Sequence, residues 1–310
     1  MTIEQVYKSW IDAKKRQVKR STLAAYQLIA VNVLVPHYME IDVSTIDKKE
    51  IVSFMYSLLD KGKSKKYCID ILIVLRMIMQ YASEEYNIPM HEFRFKMAWP
   101  SKNLGETKKI ECYTPEEFKK IVNYSLENPS PQNLGIMLAL CTGMRIGELC
   151  ALRWEDVDIT NKVIHVSRTI ERVYNINTSS TEVIISTPKT ISSNRYIPIL
   201  KEIFPLIKKF QSLSRPEYYI CSMTPHYSEP RTFRNYYKMF ILKKVKLGHC
   251  IKFHGLRHTF ASTLIENKVD VKTVSTLLGH SDIQTTLNIY VHPSDGQKRE
   301  AVNGLKKILR

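Results

Sequence analysis

Apolar side chains recur every three or four residues through KKYCIDILIVLRMIMQYASEEY (65–86), a spacing that lays them along one stripe of an α-helix. Ser64 stands just ahead as a cap. The same period runs through IVSFMYSLL behind the cap pattern Asp47–Glu50. It also runs through LAAYQLIAVNVLV, which Ser21 or Thr22 is placed to cap and Pro36 to end. Residues 1–100 therefore read as four or five amphipathic helices with short loops, a small bundle. The pattern then lapses: 101–112, within WPSKNLGETKKIEC, are polar and aperiodic, as a linker between domains is.

Thr114-Pro115-Glu116-Glu117 restarts helical order with a cap, a proline at the first helical position and a glutamate at the third. Helices are expected over 116–126, 131–142 and 146–152, with Gly143 closing the apolar run NLGIMLALCTG. The period then changes to two in KVIHVSRTI, TEVIIST and RYIPI, which predicts one small antiparallel sheet. The helical period returns in KEIFPLIKKFQ, RTFRNYYKMFILKKV, HGLRHTFASTLIEN, VKTVSTLLG and KREAVNGLKKILR. The fold class is mainly α with a small antiparallel sheet: a helical bundle over 1–100, a second domain over 113–292 and a tail over 293–310.

Charge changes this picture. The 310 residues hold 46 lysines and arginines against 30 aspartates and glutamates, a net +16. A field of that sign attracts polyanions, so nucleic acid is the leading partner class. Two clusters lie in the first bundle: Lys14, Lys15, Arg16, Lys19 and Arg20, then Lys61, Lys63, Lys65 and Lys66. Either is a solvated face or a set of phosphate contacts. The six cysteines form no metal-binding or redox pair spacing and fit a reducing cytosol. The N-terminus lacks a signal-peptide core, and the run CIDILIVLRMIMQY is broken by Asp70 and Arg76. A cytoplasmic protein is expected.

Candidate chemistry gathers in the second domain. In CTGMRIGELCALRW, Arg145 stands at a glycine-lined corner between two core segments. It either pairs with Glu148 three residues on, or is held out for an anion. In HGLRHTF, His254 and Arg257 share a helical face, with His258 one turn from His254. That is either a satisfied core histidine or an anion site built from a donor and a permanent charge. In LLGHSDIQTTLNIYVH, Gly279 ends a helix, His280 follows it, Ser281 or Asp282 can cap the next helix, and Tyr290 comes ten residues after His280. Lys189 lies in the turn-rich part of a hairpin, STPKTISSNRYIPI. The histidines have no zinc spacing and no phosphate-cradling glycine loop occurs, so neither metal nor nucleotide cofactor is expected.

Taken in order, Arg145 in TGMRIGEL, Lys189, His254-x-x-Arg257, Gly279-His280 and Tyr290 resemble the tyrosine recombinase (phage integrase) family. The match covers about 113–292, and the RSTLAAY-containing bundle is similar to that family's core-DNA-binding domain. The resemblance is to the two-domain form without an N-terminal arm-binding domain. It implies that Arg145 and Arg257 clamp the non-bridging oxygens of a phosphodiester, with Glu148 holding the Arg145 corner. It further implies Tyr290 as nucleophile, His254 as its base, His280 as a donor to the phosphate and Lys189 as the acid that protonates the leaving 5′-oxygen. An unassisted tyrosine, with a pKa of about 10, is ionised roughly once in a thousand at pH 7, a deficit of about 4 kcal/mol, so a base or a positive field is required.

The activity implied is site-specific recombination of double-stranded DNA through a 3′-phosphotyrosyl intermediate, without metal or ATP, for integration and excision of a mobile element. A type IB topoisomerase-like enzyme and a non-catalytic DNA-binding protein of the same fold are the alternatives. The implied partners are a second DNA site, a protein tetramer and an excisionase or DNA-bending accessory. In KREAVNGLKKILR, Ala301, Leu305, Ile308 and Leu309 form a stripe, on a tail expected to dock on a neighbouring protomer.

Overall fold

The computed structural model describes residues 1–88, 95–100, 111–176, 178–187, 191–290, 299 and 303. The chain forms two compact units, Met1–Thr107 with Arg172–Ile184, and Lys108–Glu171 with Ile185–Arg310.

In the first unit, α1 (Ile3–Lys14) opens with a reciprocal cap between Thr2 and Gln5. α2 (Arg20–Ile29) runs through a wide π-turn, Ala30–Leu34, into α3 (Val35–Tyr38). α4 (Lys48–Asp60) is capped by Asp47, whose side chain accepts from the Glu50 N–H. α5 (Lys65–Tyr86) is capped by Ser64 and ends at Asn87, in the left-handed region. The stripe read from α5 is its buried face: Cys68, Ile71, Leu72, Leu75, Ile78, Met79 and Ala82. It packs with Trp10 of α1 and with Leu34, Tyr38 and Met55 in one apolar core. Each large apolar side chain so buried contributes roughly 1.5–3 kcal/mol.

Two expectations fail here. Pro36 does not end the helix. The π-turn shifts the bonding register, with the Val35 N–H reaching the Ala30 carbonyl, and the widened turn admits the pyrrolidine ring. Nor do Ser21 and Thr22 cap α2. Lys19 is the extended flanking residue, so both lie inside the first turn, past the position from which a side chain can cap.

The second unit begins with α6 (Pro115–Glu127), closed at its start by the Thr114–Glu117 capping box. α7 (Pro131–Thr142) is buried on every side from Asn133 to Leu140 and ends at Gly143 with φ 66°. α8 (Ile146–Ala151) follows directly. β1 (Val157–Asp158), β2 (Val163–Val166) and β5 (Arg195–Pro198) form an antiparallel sheet in the order β1-β2-β5. β3 (Thr169–Asn175) and β4 (Ser180–Ser186) form a second sheet of two strands, most of which, Arg172–Ile184, belongs to the first unit.

Among the described residues there are thus two small sheets where one was expected. KVIHVSRTI is divided at Ser167–Arg168, where Asp156 and Glu155 hold the Arg168 guanidinium at 2.6 and 2.9 Å. The hairpin expected around Lys189 is also different. β4 pairs with β3 and β5 with β2, so β4 and β5 do not form a hairpin; Lys189 itself lies outside the described residues. α9 (Phe204–Ser212), α10 (Pro230–Met239), α11 (His254–Glu266), α12 (Val271–Leu278) and α13 (Ile283–Tyr290) complete the unit. The tail stripe at 301, 305, 308 and 309 lies outside the described residues. No helix among the described residues is long and apolar enough to cross a membrane.

Candidate active site

Two left-handed glycines set the frame. At Gly143 a Cβ would stand 2.6 Å from a Phe260 ring carbon, and at Gly279, with φ 69°, it would stand 2.8 Å from the Ser192 carbonyl oxygen. Both positions need the positive φ and the missing side chain. Arg145 follows the first corner as the residue flanking α8. Its backbone N–H donates to Glu148 Oε2 at 2.9 Å and its guanidinium to Oε1 at 2.8 Å. The Glu148 side chain is 3% exposed and that of Arg145 39%. The pairing with Glu148 is therefore present, and it leaves the Arg145 side chain partly exposed.

Glu148 has a second cation, Arg195, bound in a fork at 3.2 and 3.0 Å. Burial alone would raise the Glu148 carboxyl pKa, but the charges of Arg195 and Arg145 outweigh it and hold the group below its usual range. Arg195 escaped the sequence reading. The signal was there: β5 alternates with Arg195 and Ile197 inward, and an inward cation needs a buried anion.

Arg257, on α11, is 1% exposed. It donates to the Gly143 carbonyl at 2.9 Å and to the Leu278 carbonyl at 2.7 Å, tying the two corners together. His254 opens the same helix, and its ring meets His258 edge-on at 4.7 Å. His280 follows Gly279, with Nδ1 sharing a 2.8 Å hydrogen bond with the fully buried Thr286 hydroxyl, which leaves Nε2 for another partner. Asp282 caps α13 through the Gln284 N–H at 2.8 Å.

Positive charge dominates the electrostatics around the two histidines. Burial, then the charges of His258, Arg257 and Arg145, lower the His254 pKa to about 4. Burial, then Arg257, Arg145 and Arg195, lower that of His280 to about 4. Both rings are neutral at pH 7. A cleft of about 780 Å³ opens beside Arg145 and His254, and Arg234, Lys238 and Lys252 line it together with Phe253.

The structure thus assembles Arg145, Glu148, His254, Arg257 and His280 about two corners. Tyr290 is the last residue of α13, which packs on α11 and α12; its side chain and all of Lys189 lie outside the described residues. Among the described residues, no three histidine, cysteine, aspartate or glutamate side chains gather as metal ligands do.

Residues 111–297, more than half of the chain, match the model of the phage integrase family. The chain belongs to the phage integrase family. A tyrosine recombinase XerC-like protein of Caldanaerobacter subterraneus is 31% identical over 288 residues, covering 86% of this chain and 72% of that one. The ICEBs1 integrase of Bacillus subtilis is 25% identical over 288 residues, covering 88% and 74%. Among solved structures, a Tn1549 transposon integrase in complex with a circular intermediate DNA superposes with a TM-score of 0.76 at 21% identity, covering 98% of this chain and 99% of that one. A lambda integrase tetramer bound to a Holliday junction gives 0.63 at 20% identity, covering 95% and 80%. The two superpositions establish the shared fold. This member of the family is a tyrosine recombinase, mainly helical with small sheets.

Proposed function

We propose that this recombinase cleaves and rejoins double-stranded DNA at a specific site, for the integration and excision of a mobile element. The observation that carries the reading is the pair of arginines fixed at two glycine corners: Arg145 through Glu148, and Arg257 through the Gly143 and Leu278 carbonyls. Donors already held in place stabilise the charge that builds on a phosphodiester's non-bridging oxygens, because they need no reorganisation during the reaction.

Tyr290 then attacks phosphorus, giving a 3′-phosphotyrosyl link, and Lys189 supplies the proton that frees the 5′-hydroxyl. His254, neutral at pH 7, is able to take the phenolic proton. His280 donates from Nε2 to the phosphate. A bound phosphodiester brings negative charge among these rings and raises both pKa values toward the ordinary range. One phosphodiester is exchanged for another, so rejoining needs neither ATP nor metal.

Residues 1–100 act as the core-DNA-binding domain, 101–112 as the linker and 113–292 as the catalytic domain. The 293–310 tail is exchanged between protomers of a tetramer on two DNA sites, with an excisionase or DNA-bending protein setting direction in the cytoplasm. The DNA in the Tn1549 integrase complexes and the lambda integrase tetramer on a Holliday junction support this assembly.

The test starts from DNA trapped covalently on the protein in its host. A plasmid carrying two copies of the recovered site should undergo reciprocal exchange, and deletion of residues 297–310 should impair exchange while sparing single-site binding. Relaxation of site-free plasmid with no exchange between sites would replace recombinase by topoisomerase.

A further inference from the structure

Arg195 is a buried basic residue of the second unit, 6% exposed. Its donors are directed inside the protein. Nε donates to the Leu277 carbonyl at 2.6 Å, and one terminal nitrogen to the Ser193 carbonyl at 3.1 Å as well as to Glu148. The other terminal nitrogen completes the fork on Glu148 at 3.0 Å. The carboxylate that anchors Arg145 is thus itself oriented by Arg195. Leu277 is the neighbour of Leu278, whose carbonyl takes Arg257, and His280 follows two residues later. A Cβ at Gly279 would stand 3.0 Å from Arg195 Cδ, so the second corner is built directly against this side chain.

We infer that Arg195 is a positioning residue for strand cleavage, aiming Arg145 through Glu148 and locking that corner to the end of α12 that presents His280. A planar fork can hold a carboxylate and a carbonyl at once. A lysine at the same place keeps the charge but not the geometry. The inference rests on the reading of Arg145 as a clamp on the scissile phosphate.

The experiment compares two nicked duplexes, one with a normal scissile phosphodiester and one with a methylphosphonate there. The neutral linkage lacks the charge that the clamp stabilises, so a defect in aiming should appear on the first substrate and shrink on the second. Arg195→Lys should slow single-turnover cleavage of the phosphodiester by about 10²-fold, the scale of a 1 Å misplacement. On the methylphosphonate it should stay within about threefold of wild type, the Coulombic task being absent. Both rates come from one preparation, so a misfolded fraction lowers them equally and cancels in the ratio. Equal slowing on both substrates, or no slowing on either, would overturn the inference. Arg145→Ala is the control: if methylphosphonate relieves it but not Arg195→Lys, only the role of Arg195 falls. If Arg145→Ala is equally slow on both, the clamp reading fails and the role of Arg195 falls with it.

Discussion

The two units use positive charge in opposite ways. In the first, Lys15, Arg16, Lys61, Lys63 and Lys66 stand on the surface around a core that is apolar throughout. In the second, Arg195 and Arg257 are buried and spend their donors on protein carbonyls and a carboxylate. Surface cations act over about 10 Å and tolerate loose placement, because attraction for a polyanion sums over many weak contacts. Transition-state stabilisation requires donors already in place, and that needs a rigid, desolvated support. On the proposed function one chain holds both solutions, and they should fail differently under mutation.

The largest difference lies in the clamp. Arg145→Ala or Arg257→Ala should lower single-turnover cleavage by about 10³-fold or more, the scale of an arginine that stabilises phosphoryl charge. DNA binding in a gel shift should fall far less. The same assay in excess EDTA should run at an unchanged rate; loss on chelation would break the metal-free account. Leu75→Ala reverses the pattern. It empties a fully buried site in the first unit's core and should destabilise that unit by about 2–5 kcal/mol, read by denaturant unfolding.

How much of this was legible in the sequence follows from the range of the forces involved. The α5 stripe, the Thr114–Glu117 box and the stops at Gly143 and Gly279 depend on residues a few positions apart, and they read correctly. Pro36 misled because its effect depends on whether the helix widens, and packing of the first unit decides that. The strands misled because KVIHVSRTI looks continuous until Arg168 is drawn to Asp156. The alternation of β5 marked Arg195 as inward but not what it holds, because its partners, Glu148 and Leu277, are 47 and 82 residues away. Glu148, three residues from Arg145, could be named as its support; Arg195 could not, since its partners come together only once the two corners meet.

Smaller effects sharpen the contrast. Replacing Lys61 and Lys63 by alanine should weaken DNA binding about tenfold and make the salt dependence shallower by about one unit of slope per lost phosphate contact. Cleavage of bound DNA should stay unchanged. A shift in cleavage at saturating protein would show that these lysines do more than attract.

The smallest effect is that of pH, with its sign set by the histidines. Their folded pKa values of about 4 lie below the ordinary 6.5 of the unfolded chain. Their contribution to stability is therefore fully present above pH 6.5 and lost as pH falls through 4, so the second unit's melting temperature should drop over that window. Bound phosphate raises both values, so binding takes up protons, and Kd should tighten by about twofold to fivefold between pH 7 and 5.5. Histidine-to-glutamine variants should lose this dependence, whereas the lysine variants should keep it.

In the proposed mechanism a fixed pair of arginines serves one nucleophile, Tyr290. A nicked suicide duplex tests it directly, because cleavage releases the strand needed for rejoining. Wild-type protein should accumulate an SDS-resistant protein–DNA adduct whose linkage maps to Tyr290. Tyr290→Phe should bind the same duplex with unchanged affinity and form none. An adduct formed by the Phe variant, or mapped to another residue, would contradict the account.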